Sequence, residues 1–408
     1  MSMKPFEGLK VVELGTFVAT PACAMMLGEW GADVIKVESG KGDNWRSYAN
    51  IVNVPCTNDE NPIFDMFNNK KKAISLDLKT PGGREVFDKL LAEADVFVTS
   101  WRDKALKKQG LDYDSIKDKY PKLIYAILTG YGDEGPSKDM PGYDNIAFWA
   151  KTGFLADQGI STPGSYPILP PGGMGDLISG IMLYGAVASA LYGRSVHGHG
   201  DRVTVSLYGA GIYAMSLMTT VTQERFKGPY PRPRYNCTAA YAPFECSDGE
   251  WIQMSVGNWD FVSGKLFDLL GLPELVGDER FMTNKQATIH RRELLELMEP
   301  KFKEKTGAEW MKLLGEADIA HDRLNHYRET EHSEQAWANG YVTMHTSQNG
   351  NKCMVARPAF RSRNVGEVEL ECAPRLGENT REVILSLGYT EEQADALLSN
   401  GAATQIDY

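Results

Sequence analysis

The chain has 408 residues and a mass of 45.2 kDa, with 43 Lys and Arg against 54 Asp and Glu and a formal net charge of −11. At 42% hydrophobic and 24% charged it has the make-up of a folded globular chain, with room for two or three domains at roughly 100 to 200 residues each. The negative balance excludes an overall field that would draw nucleic acid or an anionic membrane, so an anionic ligand must meet a local basic pocket.

Along the chain, Lys10 to Leu14 reads as a buried strand, Pro21 to Trp30 as a helix, and Gly31 to Glu38 as a turn leading into a second strand. The alternation continues with a strand at Ala73 to Leu78, a helix at Pro81 to Ala94, a strand at Asp95 to Thr99, a helix at Tyr113 to Lys119 and a strand at Leu123 to Leu128. Such a pattern predicts an α/β fold with a doubly wound, Rossmann-like parallel sheet. The apolar run Leu177 to Tyr192, broken by Ser179, Gly180, Gly185 and Ser189, is shorter than the ~20 residues that span a bilayer and reads as a buried helix. A Gly-rich connector at Gly193 to Arg202, a strand at Val203 to Leu207 and a Met-rich helix around Ala210 to Thr222 complete a large domain over residues 1–227.

Three prolines within Gly228 to Tyr235 mark an extended linker, and residues 228–350 read as that linker plus a smaller α+β domain. Residues 351–408 form a return segment whose Gly377 to Glu392 stretch reads as two short helices docking on the large domain. The six cysteines form no C-x-x-C pair and read as reduced thiols. The N-terminus runs into a strand without the pattern of a signal peptide, which predicts a cytoplasmic protein with no membrane attachment.

Gly130-Tyr-Gly-Asp-Glu-Gly135 is a literal G-x-G-x-x-G, but Pro136, Lys138 and Pro141 follow where a nicotinamide site needs a helix N-terminus. Glu38 stands at the distance of a ribose-binding acid from the first strand, weak support on its own. In Pro170-Pro-Gly-Gly-Met-Gly-Asp176 three glycines allow backbone amides to approach a ligand, and the acid opens a helix. Asp176 is then either an ordinary N-cap or a carboxylate nucleophile with glycine amides around a developing oxyanion; the residues alone do not separate the two. Four lysines in Asn69 to Lys79, with Arg102, Lys104, Lys107 and Lys108, are either a solvated face or the local basic pocket of a polyphosphate ligand. His197-Gly-His199 has no third metal ligand at useful spacing and reads as a surface turn; no metal is expected. No G-x-S-x-G elbow supports a serine hydrolase.

Taken together, Gly8 to Leu14, Gly31 to Glu38, Lys72 to Lys79, Gly130 to Pro136 with Pro141 to Asp144, Gly175-Asp176 and Gly388 to Glu392 resemble the class III coenzyme A transferases over nearly the whole chain. Asp59 to Pro62, Lys119 to Ile124 and Glu334 to Asn339 look most like the (R)-2-hydroxyacid CoA-transferases of amino-acid-fermenting anaerobes, which act on phenyllactate or 2-hydroxyisocaproate. The resemblance implies coenzyme A as acyl carrier, an acyl-CoA and a free carboxylic acid as substrates, and ping-pong exchange through an aspartate at Asp176. It places CoA contacts on Val18, Ala19, Leu76, Asp77, Leu78, Lys79, Trp101, Arg102, Ala105, Lys108 and Tyr143. Gly172, Gly173, Gly175 and Gly257 are the oxyanion or loop candidates, Gly257 standing in a loop that closes over the reacting carbonyl. Val18, where the formyl-CoA enzyme has Gln, points to an apolar acyl group; Lys41 is the cation nearest the position of that enzyme's Arg. An interlocked homodimer is also implied, and a 2-hydroxyacyl-CoA dehydratase is left open as a downstream partner. The racemase branch of the same fold uses a His where this chain has Tyr143, and a phenol, ordinarily titrating near pH 10, is a poor base. A non-catalytic CoA-binding protein would keep the lysines but have no need of Asp176.

Overall fold

The computed structural model describes residues 4–157, 167–226 and 234–406. The chain divides into a large unit (residues 1–154, 169–220 and 333–408) and a small unit (residues 155–168 and 221–332).

The large unit opens with strands β1 (Lys10–Leu14), β2 (Asp33–Glu38), β3 (Lys71–Leu76), β4 (Val96–Thr99), β5 (Ile124–Thr129) and β6 (Asp201–Ser206). Helices α1 (Ala19–Glu29), α2 (Pro62–Asn68), α3 (Pro81–Glu93), α4 (Asp103–Gln109) and α5 (Tyr113–Ile116) connect the first five; α6 (Phe154–Asp157) begins the first stretch of the small unit, and α7 (Met174–His197) precedes β6. α8 (Leu207–Ala214) and α9 (Ser216–Val221) follow β6. The central strands are near-continuous apolar runs because helices cover both faces of a parallel sheet. α3 starts where Thr80 accepts from Gly83 N with Pro81 in the first turn, and α4 ends on Gly110 at φ +58°.

Residues 193–197 are the last turn of α7, not a connector: Gly198, at φ +81°, supplies the C-cap. α7 is long and apolar enough to cross a membrane, but within the large unit it packs along α1, β5, β6 and α8. Its reading as a buried helix holds for one face only. Ser179, Gly180, Leu183 and Val187 are buried, while Ile181, Tyr192 and Val196 are exposed. A side chain at Gly180 would meet the Ala19 carbonyl at 2.6 Å, so the glycine sets how closely α7 lies on α1.

The small unit has an antiparallel sheet of β7 (Pro243–Glu245), β8 (Trp251–Met254) and β9 (His321–Arg323). Helices α10 (Trp259–Leu270), α11 (Asn284–Ile289), α12 (Arg291–Phe302) and α13 (Gly307–Glu316) enclose a core that includes Phe244, Phe267, Phe302 and Trp310. Residues 228–233 of the Pro-rich stretch lie outside the described residues; Arg234 begins a short 3-10 turn, Arg234–Asn236.

The chain then returns to the large unit with α14 (Glu334–Ala338), the hairpin β10 (Val342–Thr346) and β11 (Lys352–Ala356), α15 (Thr380–Ser386), α16 (Glu391–Ser399) and the two-residue strand β12 (Ala403–Thr404). Strand order is β12-β3-β2-β1-β4-β5-β6, with β1 to β6 parallel and β12 antiparallel at the edge. The order reverses between β1 and β4, where the carboxyl ends of strands leave a ligand crevice. Leu14 and Thr99 are in register there, and the Thr99 hydroxyl donates to the Leu14 carbonyl at 2.8 Å.

Candidate active site at the N-terminus of α7

The loop after β5 leaves the sheet at Gly130 and comes back over its own start at Gly142. A Cβ on Gly142 would lie 2.4 Å from the Gly130 Cα, so only two glycines allow this crossing. The G-x-G-x-x-G thus opens a backbone crossing rather than a phosphate cradle. Beyond it, Asp144–Ala150 forms a π-helical turn. Asp144 is buried there and accepts from Trp149 Nε1 (3.2 Å) and from the amides of Gly173 (3.1 Å) and Asp176 (3.1 Å); the Gly175 amide donates to it as well. Burial raises the Asp144 carboxyl, and these donors oppose that rise.

Asp144 therefore supplies the anionic cap of α7, and the reading of Asp176 as an N-cap fails. The N-cap position is Gly173, at φ +79°, and Asp176 stands in the first turn with no hydrogen bond to its carboxylate among the described residues. Burial pushes its carboxyl up to about 7, and the negative charge of Asp144 adds to the rise. Partly desolvated, without a partner among the described residues and set at a helix N-terminus, this carboxylate suits nucleophilic attack.

The glycines serve the site in different ways from those expected. Gly173 and Gly175 give their amides to Asp144, so neither is free for an oxyanion in this conformation. Gly175 is needed for fit: a Cβ there would sit 2.2 Å from Asp144 Oδ1 and 2.4 Å from Phe148 Cγ. Gly172 is exposed, and a Cβ on it would approach the Tyr48 hydroxyl at 3.5 Å. Gly257 belongs to the small unit, in the exposed turn ahead of α10.

Each group of expected CoA contacts in the large unit follows the carboxyl end of a strand. Val18 and Ala19 follow β1, Leu76 to Lys79 close β3, Trp101 and Arg102 follow β4 with Ala105 and Lys108 on α4, and Tyr143 follows β5. Val18, Ala19, Leu76 and Leu78 are buried, which leaves them mainly their backbones to offer a ligand. Asp77, Lys79, Arg102, Ala105, Lys108 and Tyr143 are exposed. Three lysines of the Asn69 to Lys79 cluster stand at the opposite, amino end of β3 and are already paired: Lys70 with Glu371, Lys72 with Glu382 (2.6 Å) and buried Lys71 with Glu13 (2.7 Å). Lys107 pairs with Asp103 (2.7 Å). The basic rim thus reduces to Lys79, Arg102, Lys104 and Lys108. Glu38 is not a free ribose acceptor, because Arg46 and the Asp43 amide occupy its carboxylate.

Sequence reasoning also missed Phe17, Trp45 and Tyr48, whose rings cluster beside Val18 and Leu177. The aromatic pair three residues apart in Trp45-Arg-Ser-Tyr48 is the available signal. Among the described residues one His/Cys/Asp grouping could offer metal ligands: Asp65, His345 and Cys372 have donor atoms within 4.8 Å of one another. Both Asp65 oxygens are in use there, one accepting from Ala373 N (2.9 Å) and the other paired with His345 Nε2 (2.8 Å), which staples α2 to β10.

A family model, CoA-transferase family III, matches residues 6–380. The chain is 38% identical over 387 residues to the (R)-2-hydroxy-4-methylpentanoate CoA-transferase of Clostridioides difficile, covering 95% of this chain and 96% of that one. It is 36% identical over 398 residues to the cinnamoyl-CoA:phenyllactate CoA-transferase of Clostridium sporogenes, covering 96% and 95%. A CAIB/BAIF family protein from Brucella suis has a related structure, with a TM-score of 0.79 at 29% identity over 95% of this chain and 100% of that one. The chain belongs to CoA-transferase family III. It is a class III CoA-transferase, using CoA together with acyl-CoA and carboxylate substrates.

Proposed function

We propose that this enzyme moves CoA from an acyl-CoA donor to a free (R)-2-hydroxy acid with an apolar side chain, of the phenyllactate or 2-hydroxyisocaproate type, with Asp176 as nucleophile. The observation that carries the reading is the part-buried Asp176 carboxylate, without a hydrogen-bond partner among the described residues, on a helix whose cap is provided by another acid. The Asp176 oxygen attacks the thioester carbonyl, the C–S bond breaks, and CoA leaves as thiolate from a mixed anhydride. The thiolate then attacks the Asp176 carbonyl carbon and expels the donor acid, giving an aspartyl-CoA thioester. The incoming carboxylate displaces the thiolate to form a second anhydride, and thiolate attack on its acyl carbonyl releases the new acyl-CoA and regenerates Asp176. No step needs a proton, so no general base is required.

Lys79, Arg102 and Lys108 are the cations assigned to the CoA phosphates, beside backbone contacts from Val18, Ala19 and Leu76 to Leu78 and side chains of Trp101, Ala105 and Tyr143. The Gly257 loop is assigned to closure over the reacting carbonyl. An interlocked homodimer in the cytoplasm completes the reading; the exposed apolar side chains Ile181, Tyr192 and Val196 on α7 and Tyr213 on α8 support a covered face. The test is incubation with acetyl-, isocaproyl- or cinnamoyl-CoA plus (R)-phenyllactate or (R)-2-hydroxyisocaproate, following new CoA esters by mass spectrometry. Exchange in the wild type and none in Asp176→Ala is expected; exchange that survives the substitution would remove Asp176 from its role.

A further inference from the structure

Phe17 turns the loop between β1 and α1 at φ +66°, a region in which a bulky aromatic residue is strained. Strain of this kind persists only where the surroundings over-determine it, and it concentrates at functional sites. Here Asp43 holds it. Asp43 Oδ1 accepts from the amides of Phe17 (3.0 Å) and Trp45 (2.9 Å), while its Oδ2 is 2.9 Å from Lys36 Nζ. Lys36 also donates to Glu13 (2.8 Å) and to the Gly15 carbonyl (3.0 Å), and the side chains of Lys36, Glu13 and Asp43 are wholly buried. A buried charge array therefore clamps both ends of a turn that its sequence would not choose.

That turn presents an aromatic ring. Phe17 stands edge-on to Tyr143 (centroids 5.8 Å apart) and to Trp45 (6.5 Å), and Trp45 stacks on Tyr48 at 4.1 Å. Its neighbour Val18 approaches Gly173, since a Cβ on that glycine would lie 3.9 Å from Val18 Cγ2, and Leu177, adjacent to Asp176, packs in the same apolar group. The geometry points to Phe17 as a specificity-determining residue for the acid side chain, with Asp43 as its positioning residue. The strained backbone fixes the ring as a wall beside the Asp176 turn, and that wall favours branched or aryl acids over small ones. This assignment rests on the transferase reading above.

The experiment is steady-state exchange by the full-length enzyme with a size series of acids, comparing kcat/KM for (R)-phenyllactate with that for acetate. Phe17→Ala should lower the phenyllactate-to-acetate ratio at least tenfold, Phe17→Tyr should retain the wild-type ratio, and Asp43→Asn should lower it by raising KM for the bulky acid more than it lowers kcat. Phe17→Leu, similar in bulk but without the ring, decides the matter if the alanine variant does not fold: a lowered ratio supports the wall and an unchanged one overturns it. Variants that lose thermal stability yet keep the wild-type ratio overturn the assignment alone. A wild type that exchanges no pair overturns the transferase reading and this assignment with it.

Discussion

The amide of Asp176 donates to Oδ1 of Asp144 at 3.1 Å, so one carboxylate caps the helix on which the other stands with no partner among the described residues. On the proposed mechanism the two acids, 32 residues apart in sequence, divide between them the capping and chemical roles that a single residue could not hold at once.

Asp144→Asn keeps an accepting oxygen but removes the neighbouring negative charge, so the midpoint of the pH profile of kcat/KM for the acyl-CoA should shift to lower pH. A midpoint identical to wild type would refute the coupling. Asp144→Ala strands Trp149 Nε1 and the α7 amides and should cost about 2–4 kcal/mol in urea unfolding.

Because burial and Asp144 hold the Asp176 carboxyl at about 7, its ionised form, the proposed nucleophile, should be depleted as pH falls below 7, and exchange should fall with it. Stability follows the opposite trend. A carboxyl whose folded-state value lies above its unfolded one favours folding while protonated, and that contribution is lost as pH rises from about 4 through about 7. Asp176→Asn should therefore be inactive yet more stable at pH 8, by roughly 2–4 kcal/mol, with the gain shrinking as pH falls toward 4. Equal unfolding curves at pH 8 would contradict this.

Gly175→Ala places a methyl group 2.2 Å from Asp144 Oδ1. Backbone and ring must shift to admit it, at a cost of about 1–3 kcal/mol, and exchange should fall by a larger factor than stability alone explains. Wild-type melting and turnover would show that the turn has room to spare.

Arg102→Ala with Lys108→Ala removes two cations of the rim while leaving Asp176 untouched. KM for the acyl-CoA should rise about tenfold with little change in kcat, as expected for loss of uniform binding, and the wild-type advantage should shrink at high salt. A fall in kcat at unchanged KM would place CoA elsewhere.

The strands of the sheet were legible because each is a short apolar run between turn residues, and the order of alternation already implied their parallel packing. The place of Asp176 at the start of a long helix was legible for the same reason: glycines precede it and apolar residues follow. Asp144 was not, because its task depends on a partner that only the folded chain brings near. The lysines misled because composition cannot tell which end of a strand a charge occupies; Lys70 and Lys72 stand at the amino end of β3, and Lys79 follows its carboxyl end. β12, at two residues, is too short to leave a pattern, and the left-handed Phe17 has no sequence mark because the side chain that holds it lies beyond the next strand.

The crossing of Gly130 and Gly142 has a consequence for how the enzyme can vary. A loop pinched shut at its base transmits little of what happens at its tip, and the stretch from Glu134 to Met140 is mostly exposed. Length and sequence there can be exchanged, or a foreign segment grafted in, while Tyr143 and Asp144 keep their places, provided that both glycines and the Asp133–Arg202 ion pair (2.8 Å) are kept. The enzyme thus carries a natural insertion point close to its chemistry yet mechanically insulated from it.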